Sequence, residues 1–366
     1  MIRCLIVDDS RTFRAVLRDI LGRAPGVQVV AEAADGDEAL ARTLELRPDV
    51  ITMDARMPRM DGLSAIREIM YQAPTPIIVV SAESEAVSFE ALQLGAIEVV
   101  AKPRGSRPER YERDAEAIRM AVRAVAGLKL VTRRRPPTGP SRTPVATPTR
   151  SDAPAPYRPP ETPALTPLPI RVPSLGPFQP PCVIGVASST GGPQALCRIL
   201  ASLPENYKIP ILVVQHIADG FDGGLVKWLD SETAVRVKLA EQSEPLVAGT
   251  VYFGPNGRHI TAHDDRIRLE DGPVVRGFKP SGTVLLGSLA ANYGSGAAGL
   301  VLSGMGEDGA AGLRQVRDRG GFTAAQGPAT SVVYGMPRVA WETGAAAHSL
   351  ELDEISGMFL RLAGLR

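Results

Sequence analysis

Apolar and polar positions divide the chain into three stretches of different texture. Over residues 1–127, short apolar runs at 3–7, 27–32, 49–53, 77–80 and 97–100 alternate with amphipathic segments. Short runs bounded in this way have the texture of strands buried on both faces, and the segments between them carry helical spacing. Five strand–helix repeats predict a parallel sheet covered by helices on both sides, a (βα)5 unit. The periodicity stops at 132–181, a stretch that holds 16 of the chain's 32 prolines. Repeated proline fixes φ and removes backbone donors, so a semi-extended, solvated tether is expected there rather than helix or sheet. Apolar runs resume at 182–187, 210–215, 235–239, 250–253, 258–262, 266–270, 298–302 and 322–325, with helical stretches at about 193–202, 309–319 and 350–362. This half predicts a second, doubly wound α/β sheet with a small antiparallel element near 250–270. The division that follows is 1–127, a linker over 128–181, and 182–366.

Composition narrows the partners. Lys+Arg 41 against Asp+Glu 40 leaves a formal charge of +1, so bulk electrostatics favour neither nucleic acid nor a membrane surface as the main partner. Cys4, Cys182 and Cys197 lack metal-ligand spacing. The first two fall in strand-like runs, where small buried thiols are expected. The chain opens on the strand-like Ile2-Arg3-Cys4-Leu5-Ile6-Val7 without the regions of a signal peptide. No apolar run approaches the ~20 residues that span a bilayer. A cytoplasmic protein without membrane insertion is the expectation.

In parallel α/β sheets the chemistry gathers at the carboxyl ends of the strands. In the first unit that rule selects Asp8, Asp9, Asp54, Ser81 and Lys102, each just past a strand candidate. Three carboxylates at one sheet edge repel each other unless a hard cation neutralises them, and magnesium suits an oxygen-only cluster. Lys102 adds a fixed cation and Ser81 a hydroxyl, so the set can hold a phosphoryl group on a carboxylate. The plainer alternative is that each Asp caps a following helix. The stretches Val7-Asp8-Asp9-Ser10, Asp54-Ala55-Arg56-Met57-Pro58-Arg59-Met60-Asp61-Gly62, Val80-Ser81-Ala82 and Lys102-Pro103 together resemble the signature of two-component receiver domains over about residues 1–125. The resemblance implies that Asp54 accepts phosphate from a histidine kinase. It also implies magnesium bound by Asp9, Asp54 and the Arg56 carbonyl, with Asp8 acting through water, and phosphoryl contacts from Ser81 and Lys102. The fifth-strand stretch Gly95-Ala96-Ile97-Glu98-Val99-Val100 has valine where receivers often carry an aromatic switch residue; phosphate acceptance does not need that ring, and the departure bears on how the signal leaves the pocket.

In the second half, the run 182–187 leads into Ser188-Ser189-Thr190-Gly191-Gly192-Pro193. The glycines permit a tight turn and Pro193 suits the first turn of a helix, so a serine there is exposed beside backbone N–H groups. The next strand ends at His216, one of only four histidines. A lone histidine there is more often structural than catalytic. A later strand is followed by Ser303-Gly304-Met305-Gly306-Glu307-Asp308-Gly309, whose turn can bring Asp308 to His216 Nδ1. A serine needs a base, and the base needs a group that fixes its tautomer; Ser189, His216 and Asp308 supply those roles from three strand ends. Ser188 is the rival nucleophile.

Ser189-Thr190-Gly191-Gly192, Gln215-His216, the Ser303–Ala310 turn, Gly320-Gly321, Ala325-Gln326 and Thr330-Ser331-Val332-Val333-Tyr334-Gly335-Met336-Pro337 resemble the catalytic domain of the chemotaxis protein-glutamate methylesterases, the CheB family, over roughly 182–365. The receiver-like unit in front matches that family's domain order. The resemblance implies hydrolysis of glutamate γ-methyl esters on methyl-accepting chemoreceptors, and deamidation of receptor glutamines. It implies Ser189 as nucleophile, the serine directly before Thr-Gly-Gly, with His216 as base, Asp308 as orienting carboxylate and the Met305 N–H as oxyanion donor. No cofactor is implied for the esterase reaction. Ile217-Ala218 replaces the family's usual Met-Pro after Gln-His, the segment 279–286 lacks its common Val-Asp and aromatic residue, and the linker is long; receptor contacts and coupling between domains are where these departures bear. His259 is read as structural or substrate-side. Two other readings compete: the same hydrolase in a non-chemotaxis signalling array, and a non-catalytic response regulator whose second domain only binds a partner.

Overall fold

The computed structural model describes residues 1–81, 85–103, 108–128 and 180–365. The expected proline-rich tether lies outside the described residues, apart from its ends. The first unit runs β1 (Ile2–Val7), α1 (Arg11–Gly22), β2 (Val27–Ala33), α2 (Gly36–Leu46), β3 (Val50–Met53), α3 (Gly62–Gln72), β4 (Ile77–Ser81), α4 (Glu85–Leu94), β5 (Glu98–Ala101) and α5 (Pro108–Val125). Its five strands pair in parallel in the order β2-β1-β3-β4-β5. Central strands β3 and β4 are buried at every position, as helices on both faces require. Ser10 caps α1, its Oγ accepting from the Phe13 N–H. Neither Asp8 nor Asp9 is therefore spent as the cap.

Gly62 opens α3 against the turn after β3: a Cβ built on it would lie 1.9 Å from the Asp54 carbonyl oxygen. That neighbour is backbone and cannot rotate away. Gly62→Ala is expected to destabilise the first unit by about 2 kcal/mol or more, read as a lower urea midpoint for its transition. An unchanged midpoint would show that the Asp54 turn yields freely.

The second unit runs β6 (Val183–Ser188), α6 (Gly192–Leu200), β7 (Ile211–Gln215), α7 (Asp222–Glu232), β8 (Arg236–Leu239), β9 (Thr250–Phe253), β10 (His259–His263), β11 (Arg266–Glu270), α8 (Gly282–Tyr293), β12 (Ala297–Val301), α9 (Ala310–Asp318), β13 (Phe322–Gln326), α10 (Met336–Glu342), β14 (His348–Leu350) and α11 (Leu352–Leu362). Seven parallel strands lie in the order β14-β13-β12-β6-β7-β9-β8. The chain winds outward from β6 in both directions, so the sheet is doubly wound with its switch point between β6 and β12.

Three expectations are corrected. Residues 250–253 belong to the main sheet as β9, and the antiparallel element is β10–β11 alone. Burial explains the difference: β9 is buried throughout, whereas Arg266-Ile267-Arg268-Leu269-Glu270 alternates exposed and buried, as a strand with one wet face must. Helices α7, α8 and α10 and strand β14 were not expected. In α8, Gly-Thr-Val-Leu-Leu-Gly-Ser-Leu-Ala-Ala-Asn-Tyr carries little polar contrast because the helix packs between β10, β6 and α9. Cys182, expected buried, is exposed; it lies one residue before β6, and only Cys4 and Cys197 are buried.

Candidate active site and receiver pocket

In the first unit, β1 and β3 flank the switch point, so Asp8, Asp9 and Asp54 leave the sheet together. One ligand oxygen from each lies within 4.8 Å of the others. Lys102, just past β5, puts its Nζ 2.7 Å from Asp54 Oδ2 and 2.7 Å from Asp8 Oδ2. Burial pushes the Asp8 carboxyl up; Lys102 pulls it back and the Asp54 charge adds to the rise. Burial works against the Lys102 charge, yet the two carboxylates win and hold the ammonium above its ordinary value. One lysine against three carboxylates leaves an excess of negative charge, the donor set that a hard cation such as magnesium fits. Ser81 is buried at the end of β4, and Arg56 lies in the turn after Asp54.

In the second unit, register brings the next set together. Ala187 pairs with Val214 and Ser188 with Gln215, so Ser189 and His216 leave neighbouring strands side by side. The His216 N–H donates to the Ser188 carbonyl at 2.9 Å. The Gln215 amide locks this exit, donating to the carbonyls of Ser189 and His216 at 2.9 Å each and accepting from Ser188 Oγ at 2.7 Å. Ser188 is fully buried with its hydroxyl committed to that bond. Ser189 Oγ makes no hydrogen bond among the described residues. Gly191 (φ +77°) turns the chain into α6, and the Gly192 N–H closes the turn on the Ser189 carbonyl at 2.7 Å. The turn after β12 lies flush against this serine: a Cβ on Gly304 would come within 2.7 Å of Ser189 Cβ. Met305, next in that turn, is half-buried.

Asp308 is fully buried at the N-terminus of α8. It accepts from Ser281 Oγ at 2.7 Å, the Gly282 N–H at 2.6 Å and the Thr283 N–H at 3.0 Å. Its Oδ2 lies 2.9 Å from His216 Nε2. An ionised carboxylate can only accept, so Nε2 carries the hydrogen, and in the neutral imidazole Nδ1 is the nitrogen that keeps its lone pair. The expected Asp308–Nδ1 pairing is therefore reversed. The α8 donors hold the carboxylate back from the His216 strand, and the distal ring nitrogen is the one that meets it. Burial alone pushes the Asp308 carboxyl up, but the hydrogen bond from His216, then those from Ser281 and Thr283, overcome it and hold the group well below the usual carboxylate range. His216 Nδ1 is buried without a partner, and the Phe278 ring stacks on the imidazole with centroids 3.6 Å apart and planes parallel at 0°.

Ser281, Phe278 and the Gln215 lock received no role from the sequence. Ser281 lies 27 residues before Asp308, and no local pattern links the two. His259 is structural. Its Nδ1 accepts from the Ser281 N–H at 3.2 Å and its Nε2 donates to the Pro273 carbonyl at 2.8 Å.

Residues 184–359 match the CheB methylesterase family model and residues 4–109 the response regulator receiver domain model. A protein-glutamate methylesterase/protein-glutamine glutaminase of Anaeromyxobacter dehalogenans is 42% identical over 97% of this chain and 95% of its own length. The chain belongs to this methylesterase family. A second member, from Myxococcus xanthus, is 39% identical over 97% of this chain and 95% of its own. The crystal structure of the Thermotoga maritima CheB methylesterase catalytic domain is 34% identical, covers 50% of this chain and 98% of that one, and has a TM-score of 0.48.

In this methylesterase the receiver contacts the catalytic unit beside the Ser189 turn. Gln194 Nε2, on α6, donates to the carbonyls of Ala96 at 2.8 Å and Ile97 at 3.2 Å. Gln93 Nε2 reaches Glu232 at 3.0 Å, Arg113 pairs with Asp219 at 2.9 Å, and Val332 packs against the receiver core cluster formed by one face of its sheet with α1 and α5. Among the described residues, no helix is long and apolar enough to cross a membrane.

Proposed function

We propose that the chain hydrolyses glutamate γ-methyl esters on methyl-accepting chemoreceptors to glutamate and methanol, deamidates receptor glutamines through the same acyl transfer, and works in the cytoplasm under control of its receiver. In this reading 1–127 is the receiver, 128–181 the tether and 182–366 the catalytic domain. The observation that supports it best is the Asp308–His216 pair, which leaves Nδ1 unprotonated at the strand end next to Ser189.

Ser189 Oγ attacks the ester carbonyl while His216 Nδ1 takes its proton. Asp308 holds the Nε2–H and stabilises the imidazolium that forms. The Met305 N–H donates to the developing oxyanion. His216 then gives its proton to the departing methoxide, releasing methanol. Water, deprotonated by the same nitrogen, splits the acyl-enzyme to give the receptor carboxylate and free Ser189. With a glutamine substrate the leaving group is ammonia.

In the receiver, Asp54 accepts phosphate from a histidine kinase. Asp9, Asp54 and the Arg56 carbonyl would hold magnesium, with Asp8 acting through water; the ion supplies charge neutralisation for the incoming phosphoryl group. Ser81 and Lys102 contact its oxygens. The unphosphorylated receiver restrains the Ser189 turn through the contacts above, and phosphorylation shifts the balance towards an open arrangement. Acetyl phosphate with magnesium is expected to raise the demethylation rate about tenfold, the response to a shift of ~1.4 kcal/mol in that balance. Chelation or Asp54→Asn should abolish the rise, and equal rates with and without the phosphodonor would contradict the gate.

A further inference from the structure

His216 is attached at two places, its own Cβ and the Nε2 bond to Asp308. A ring so held can still turn about the line between them, swinging the Nδ1 edge. No hydrogen bond restrains that edge, because Nδ1 has no partner. The face contact from Phe278 removes this freedom, with centroids 3.6 Å apart and planes parallel. Phe278 is delivered by a built strap. Val275 and Phe278 exchange backbone bonds of 3.1 and 3.0 Å across the two-residue turn Arg276 (φ +53°) and Gly277 (φ +86°), the mirror-image turn of tight hairpins. His259 pins both feet of the strap, at Pro273 and Ser281. Arg276 ties its tip to Glu307, the residue before Asp308.

We propose that Phe278 is a positioning residue for acyl transfer, setting the plane of His216 and so the direction of the Nδ1 lone pair. This rests on the reading of His216 as the base. The test uses the full chain activated with acetyl phosphate and measures methanol release from methylated receptor membranes. Phe278→Leu is expected to lower kcat by about tenfold to a hundredfold, the loss that misaligned reacting groups bring, with little change in KM. Phe278→Tyr, which restores a flat ring, should recover most of the rate. A full kcat in Phe278→Leu, a loss confined to KM, or an equal kcat loss in a folded Phe278→Tyr would overturn the proposal. His216→Gln run alongside separates the two readings: if it stays active the base assignment fails, whereas an inactive His216→Gln beside a fully active Phe278→Leu sinks the positioning role alone.

At the contact between the two units, Glu98 opens β5 with its Oε2 buried and unpartnered. The Thr190 hydroxyl, next to Ser189, is the polar neighbour that favours the charged form of this carboxylate. Burial pushes the Glu98 carboxyl up to about 7, and the Thr190 hydroxyl works against that rise. Charged groups of the two units are paired with one another or within the receiver: Arg113 with Asp219, Glu232 with Gln93, and Lys102 with Asp8 and Asp54. We infer that packing of the receiver against the Ser189 turn takes up a proton at Glu98.

An open Glu98 releases its proton near the ordinary glutamate value of about 4.3, whereas the closed form keeps it up to about 7. Closure is therefore strongest at low pH and weakens as pH rises through that window, by up to about tenfold per unit. The inference rests on the receiver gate. Its test compares basal demethylation by unphosphorylated wild type and Glu98→Gln from mildly acid to mildly alkaline pH. Glu98→Gln mimics the neutral carboxyl, and the ratio of the two rates cancels titration of the catalytic site. The ratio of wild type to variant should start near one and climb about tenfold or more by the alkaline end. Acetyl phosphate should return it to one. A flat ratio in a protein that acetyl phosphate still activates overturns the inference; no response to acetyl phosphate overturns the gate itself.

Discussion

Replacing Ser189 by alanine is expected to cost at least about 10⁴-fold in demethylation rate while leaving the fold intact. Losses of this order follow when the nucleophile of a Ser–His–Asp set is removed. Stability should change little, because Ser189 Oγ has no hydrogen-bond partner among the described residues and its removal orphans nothing. The neighbouring serine makes the contrasting control. Ser188 Oγ donates to Gln215 Oε1 at 2.7 Å in a fully buried setting, so Ser188→Ala should lower stability by about 1 kcal/mol and leave the chemistry largely in place. Parallel measurement of methanol release and of the thermal midpoint separates the two residues. A Ser189→Ala protein that still demethylates receptors would demand another nucleophile.

Asp308→Asn is the second large effect, at about 10³–10⁴-fold in kcat. An amide offers one acceptor oxygen where the carboxylate takes donors from Ser281, Gly282, Thr283 and His216. Its NH₂ must then face a donor or turn the imidazole to the wrong tautomer. A stability loss of about 1–3 kcal/mol should accompany the lost rate. The sign of the pH dependence follows from the depressed pKa of Asp308. A carboxyl held below its unfolded value stabilises fully above the ordinary aspartate range, near pH 4, and loses that contribution only as pH falls through the lower, folded value. The stability gap between wild type and Asp308→Asn should therefore be flat across neutral pH and close only in strong acid. A gap that closed near neutrality would place the proton elsewhere.

Much of this architecture is readable in the chain because buried parallel strands write themselves as short apolar runs. The expected run 210–215 and the observed Ile211–Gln215 differ by one residue, and the chemistry sits where the strand-end rule puts it. What hid was whatever depends on contact between distant segments. α8 buries Leu285, Leu286, Leu289 and Ala290, but its other positions include the small or apolar Val284, Gly287 and Ala291, so the helix that holds Asp308 carries a weak periodic signal. The segment 279–286 is distinguished in the chain only by the family residues it lacks. In the fold it supplies Ser281, Gly282 and Thr283 to Asp308. Glu98 reads as an ordinary strand residue until a second unit covers it. The ring edge that His216 turns to Asp308 depends on where α8 starts, a three-dimensional fact with no mark in the sequence.

The most direct measurement treats the phosphodonor-activated full chain with an alkyl fluorophosphonate and locates the adduct by peptide mass spectrometry. Fluoride leaves as the serine oxygen bonds to phosphorus, so labelling reports an activated hydroxyl. The prediction is a single adduct on Ser189 that disappears in His216→Gln. An adduct on Ser188, or undiminished labelling of Ser189 in the His216→Gln protein, would contradict the account.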